Sequence, residues 1–110
     1  MIKFALFFSY TPETWARMIS APSDRAAAVR ATIEQAGGTL ESLYYMLGDH
    51  DGIVIFDVPD ADAAAAVALL VTSSGAFRSV STHQLIPSAD LPAVLTKAAA
   101  GQGSYVRPGD

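Results

Sequence analysis

An α+β fold built from two βαβ halves is predicted by three features of this sequence. Four apolar, β-favouring stretches run from Ile2 to Tyr10, Thr39 to Leu47, Ile53 to Val58 and Phe77 to Ile86, and alanine-rich helical stretches at Asp24 to Ala36 and Ala61 to Ser73 fall between them. The middle strands are joined by the short loop Gly48-Asp49-His50-Asp51-Gly52. The resulting order, β-α-β, hairpin, β-α-β, is the split arrangement of a ferredoxin-like fold, with both crossover helices on one face of a four-stranded antiparallel sheet.

Each element has a local reason. Ile2 to Tyr10 sets Ile2, Phe4, Leu6, Phe8 and Tyr10 against Lys3, Ala5, Phe7 and Ser9, so phenylalanine stands on both faces. Glu13 to Met18 allows one or two helical turns before Ala21-Pro22, and Ser23 offers an N-cap to the helix that follows. The stripe of Ala26, Val29, Ile33 and Ala36 repeats at three and four residues, and Gly37-Gly38 supplies the left-handed stop. Strict alternation over Thr39 to Leu47 places Leu40, Ser42, Tyr44 and Met46 opposite Glu41, Leu43, Tyr45 and Leu47.

Ile53 to Val58 is apolar on both sides except at Asp57, and Pro59-Asp60 ends it while offering a cap to the next helix. That helix carries an inner stripe of Ala63, Ala66, Val67, Leu70 and Val71, with Gly75 near its end. The fourth strand alternates Arg78, Val80, Thr82, Gln84 and Ile86 with Phe77, Ser79, Ser81, His83 and Leu85, and Pro87 closes it. A short third helix from Asp90 to Ala100, capped by Ser88, completes a single domain over residues 1–100, and residues 101–110 form a polar, Gly-rich tail expected to be mobile.

The 110 residues, 51% of them apolar, suit one core burying roughly 65% of the unfolded surface. A net charge of -4 with only seven scattered Lys and Arg leaves no basic face, so neither nucleic acid nor an anionic membrane is expected as a partner. The absence of cysteine excludes disulfides, thiolate chemistry and cysteine-ligated metals. The apolar run after Lys3 is too short to span a membrane, and a cytoplasmic strand is expected there.

The helix-free sheet face is the functional crux. Phe7, Ile53 or Val54, Val58 and Leu43 or Tyr44 cannot all point toward two alanine-rich helices, so an apolar face must remain for association or ligand. A second copy covering it gives an α/β barrel shared between protomers, with room between the sheets for a small apolar or aromatic molecule. The competing arrangement is a monomer in which Asp90 to Ala100 folds back over the sheet.

Few side chains invite chemistry. His50, flanked by Asp49 and Asp51, is a candidate proton shuttle, although Asp in such loops ordinarily bonds to nearby amides. His83 lies mid-strand and is the second catalytic candidate. With Tyr10, Trp15 and Tyr44 it makes up the expected ligand-binding set, Trp15 serving either as a pocket lid or as an anchor for the segment after the first strand. Asp57 reads as a strand-end cap for the next helix ahead of a buried base. No phosphate loop or Gly-x-Ser-x-Gly elbow is present, and neither a metal nor a cofactor is expected.

The run Leu43-Tyr44-Tyr45-Met46-Leu47-Gly48-Asp49-His50-Asp51, followed by an apolar strand and Val58-Pro59-Asp60, resembles the GYD domain family. The resemblance covers about Phe4 to Ile86 and departs from the family at His50, where tyrosine is common, and between Pro12 and Ser23. It implies a ferredoxin-like subunit of the dimeric α/β-barrel group and transfers no catalytic residue. Three functions follow as expectations: a homo-oligomeric small-molecule binding or sensing module; a cofactor-free oxygenase or isomerase with a histidine acid/base; and a purely structural association module.

Overall fold

A computed structural model describes residues 1–110. Strands β1 (Ile2–Tyr10), β2 (Thr39–Tyr45), β3 (Gly52–Val58) and β4 (Phe77–Gln84) alternate with helices α1 (Pro12–Ser20), α2 (Arg25–Gln35) and α3 (Ala61–Ser73), and α4 (Leu91–Ala100) follows. The sheet is antiparallel throughout its pairings and has the order β2-β3-β1-β4, the ferredoxin-like topology expected of two βαβ halves.

Helix starts are set by side-chain caps. Thr11 caps α1, Asp24 caps α2 through the Ala27 amide, and Asp60 caps α3 through the Ala63 amide. The cap of α2 is therefore Asp24 and not Ser23, and α1 is longer than the two turns expected because Pro12 sits at its start, where no amide hydrogen is needed. Ahead of α4 a 3₁₀ turn, Ser88–Asp90, replaces the expected Ser88 cap, and no side chain caps α4.

The core lies between sheet and helices. Phe4, Leu6, Phe8 and Tyr10 of β1 and Val54, Phe56 and Val58 of β3 meet Ile33 of α2 and Ala64 and Val67 of α3. Phe56 is fully buried and stacks on Phe4 with ring centroids 5.9 Å apart, a side chain whose burial is worth about 1.5–3 kcal/mol. The inner stripe of α3 is rotated from the expected one: Ala64 and Val67 are buried, whereas Ala66 is exposed and Leu70 is 60% exposed.

Two bulges break the alternation. Between Leu40 and Ser42 the register against β3 shifts, so Leu40 pairs with Phe56, Leu43 with Val54 and Tyr45 with Gly52, all on the helix side. Glu41 is the extra residue, and it is the reason Leu40 and Leu43 share a face. A second shift pairs Phe77 with Tyr10 on the helix side while Ser79, Ser81 and His83 stay on the opposite face.

The chain does not fold α4 over the sheet. That helix packs chiefly against its flanking 3₁₀ turns, and Leu91, Val94 and Leu95 remain exposed. The radius of gyration is 17.6 Å, against about 13 Å for a compact chain of this length, because the C-terminal arm projects from the body. No helix is long and apolar enough to cross a membrane.

Candidate functional site

The open sheet face is built by the odd-numbered side chains of β1 and their neighbours in register. Phe7 lies between Ile53 of β3 and Ser81 of β4, Ala5 between Ile55 and His83, and Lys3 opposite Asp57. Tyr44, paired with Ile53, extends the face onto β2 and is 65% exposed. The result is an apolar centre with polar groups around it.

Phe7 is the hub of that centre. The hairpin between β2 and β3 bends back so that the His50 ring sits 5.0 Å from the Phe7 ring, and His83 meets Phe7 edge-on at 5.8 Å. Both catalytic candidates are thus gathered around one aromatic side chain. They differ in their surroundings: His83 Nε2 is 2.6 Å from Ser81 Oγ on an exposed strand surface, whereas His50 Nδ1 is buried without a hydrogen-bond partner. A buried polar atom left unpaired is costly.

Lys3 closes one end of the face. Its ammonium binds Glu41 and also Asp57 Oδ2 at 2.9 Å, and the Glu41 hydrogen bond, followed by that of Asp57, holds the Lys3 pKa above its ordinary 10.5. The bulge that expels Glu41 from the strand alternation is what places it there. Asp57 accordingly answers Lys3, and the helix cap expected of it is made by Asp60.

Tyr10 and Trp15 stand on the other side of the sheet. Tyr10 packs with Trp15, Phe8, Phe77 and Tyr45, and its hydroxyl is 3.1 Å from that of Tyr45. The four expected ligand-binding residues therefore divide, with Tyr44 and His83 on the open face and Tyr10 and Trp15 in an aromatic cluster beneath the helices. Burial, helped by the Tyr10 hydroxyl, pushes the Tyr45 phenol far above the tyrosine value of 10.0. Sequence reasoning missed Tyr45 because strict alternation left no reason to group it with Leu40.

Asp51 ties the hairpin to this cluster. Its Oδ2 accepts from the Tyr10 amide at 2.8 Å and from Trp15 Nε1 at 2.9 Å, while its own amide donates to the Phe8 carbonyl. Trp15 is held as an anchor for α1. No group of three or more His, Asp and Glu side chains comes together in a metal-holding arrangement.

A cavity of about 570 Å³ lies on the helix side, with β1 and β3 beneath it and α1, α2 and α3 around it. Arg17 and Arg25 are among the residues that line it.

A family model described as the GYD domain matches residues 4–95. The chain belongs to the GYD domain family. Among curated proteins none matches it significantly. The solved structure titled FFRP-DM1 is similar over 78% of this GYD chain and 100% of its own, at 12% identity and a TM-score of 0.50. MtbAldR (Rv2779c) is similar over 79% of this chain at 12% identity and a TM-score of 0.55, and the chain spans 54% of its length. TTHA0845 from Thermus thermophilus is similar over 80% of this chain and 96% of its own, at 13% identity and a TM-score of 0.53. At these identities the likeness is one of fold, and it places this GYD domain among ferredoxin-like α+β structures.

Proposed function

We propose that this GYD domain is a homo-oligomeric small-molecule binding or sensing module, in which open sheet faces of neighbouring copies meet and enclose an apolar or aromatic ligand. The observation that carries this reading is Phe7 in ring contact with both His50 and His83 on a face that no helix covers. Phe7, Ile53, Ile55 and Tyr44 supply an apolar surface of the kind that marks association sites, and sparse polar groups at its edge supply orientation. Two such faces packed together leave a layer about 10 Å thick, in which ligand contacts form.

The projecting arm adds support. Leu91, Val94 and Leu95 of α4, with Tyr105 and Val106 beyond it, are exposed, and α4 has no substantial packing on the sheet or the core helices. A neighbouring copy is their simplest cover.

A thermal-shift screen of small aromatic and apolar compounds tests the reading. Compounds that raise the melting temperature of the natural chain but not of Phe7→Ser are expected, and a broad screen without such compounds contradicts ligand binding at this face. The convergence of His50 and His83 also favours a second reading, cofactor-free acid/base catalysis on the bound molecule, although fold likeness alone carries no activity. That reading requires a bound compound to be chemically altered by the natural chain and left unaltered by His83→Gln.

A further inference from the structure

We propose that the cavity on the helix side of the sheet is a second binding site, shaped for a small amphiphilic carboxylate with an apolar body and one anionic head. The site is separate from the open face and does not depend on what covers that face. Its volume of about 570 Å³ falls within the roughly 300–1,000 Å³ typical of small-molecule sites.

The cavity exists because the helices sit apart. α2 packs mainly on β2 and α3 mainly on β4, the two edge strands, so the centre of the sheet is left under a gap. Val29, Leu70, Val71 and Phe77 are its accessible apolar lining, above Leu6, Phe8, Phe56 and Val67 of the buried core. Protein interiors are close-packed, and an apolar gap of this size forfeits dispersion contacts that a hydrocarbon or aromatic body restores.

The charge at the cavity is one-sided. Arg17 from α1 and Arg25 from the first turn of α2 line it, and no Asp or Glu does. The ion pairs of the chain are made by Lys3 and Arg107, so neither lining guanidinium is neutralised by a carboxylate. A guanidinium beside apolar walls recognises a carboxylate through paired hydrogen bonds.

Titration calorimetry with decanoate, decanol and decyltrimethylammonium below their aggregation concentrations, followed by methyl-detected NMR, tests the site. Saturable decanoate binding is expected, with shifts at the Val29 and Val67 methyl groups. Arg25→Gln and Arg17→Gln should each weaken decanoate by about tenfold or more and leave decanol unchanged, the size of a charged hydrogen bond lost. The arginine variants are checked for an otherwise unaltered methyl spectrum, and Arg25→Lys should recover part of the affinity. Absence of saturable decanoate binding, decanol or the cation binding as tightly as decanoate, arginine variants without effect, or shifts confined to Ile53 and Ile55 would each overturn the assignment. Shifts at Ile53 and Ile55 alone would leave the open-face reading standing.

Discussion

Asp51 Oδ2 accepts from Trp15 Nε1 at 2.9 Å, joining the β2–β3 hairpin to the helix that follows β1. The same oxygen takes the Tyr10 amide at 2.8 Å, so one carboxylate secures both the end of β1 and the start of the aromatic cluster. Hydrogen bonds to a charged group contribute about 1.5–3 kcal/mol each, and loss of the acceptor leaves partly buried donors unpaired. Asp51→Ala is expected to destabilise the fold by about 2–3 kcal/mol in urea unfolding, and Asp51→Asn, which keeps a neutral acceptor, by about 1 kcal/mol. Equal stability of Asp51→Ala and the natural chain would show that the bond does not anchor α1.

The two hairpin glycines have different reasons. Gly48 has φ 128° with open space around it, whereas a Cβ on Gly52 would stand 2.2 Å from the Phe8 ring. Gly52→Ala should therefore cost about 1–3 kcal/mol through overpacking, and much of that loss should disappear in combination with Phe8→Leu. Gly48→Ala should cost about 1 kcal/mol, with no relief from Phe8→Leu, because its strain is in the backbone. Denaturant melts of the two double-mutant cycles make the comparison.

Stability should fall at alkaline pH for two separable reasons. Lys3 has a folded pKa raised by Glu41 and Asp57, so its contribution is complete below the unfolded value near 10.5 and is lost as pH rises through the folded value. Tyr45 is an acid whose folded pKa is raised by burial and the Tyr10 hydroxyl, so above pH 10.0 the unfolded state releases a proton that the folded state retains. Urea midpoints measured from pH 8 to 11 should decline above about pH 10, and Tyr45→Phe and Lys3→Met should each flatten part of the decline. The Lys3 part should shrink in high salt because that ion pair is partly exposed.

The element order, the sheet and the capping of α3 by Asp60 were legible because periodicity and capping are local properties. The faces of Leu40 in β2 and Phe77 in β4 were not, since each depends on a bulge. Glu41 drops out of register where Leu40 and Leu43 both pack on the core, and the answer lies in β3 and Lys3, far away in sequence. The separation of Tyr10 and Trp15 from Tyr44 and His83 follows from the same geometry: the even positions of β1 face the helices and carry Tyr10 with them. His83 could be placed on a face from strand parity, but its meeting with His50 at Phe7 required the path of the hairpin.

Removal of the arm should leave the body intact. A chain ending at Pro87 loses α4, which makes no substantial packing with sheet or core helices, so its unfolding free energy as a monomer should change by less than about 0.5 kcal/mol. Its self-association should weaken because the exposed Leu91, Val94 and Leu95 go with it. Sedimentation of the shortened and full chains separates the two effects.

Solution mass tests the central claim most directly. Sedimentation equilibrium of the full chain at micromolar concentration should give twice the 11.5 kDa of one copy or a higher multiple, falling toward the single-copy mass in Ile55→Glu, which places a charge in the middle of the open face. A mass of 11.5 kDa for the natural chain under the same conditions would contradict pairing through that face.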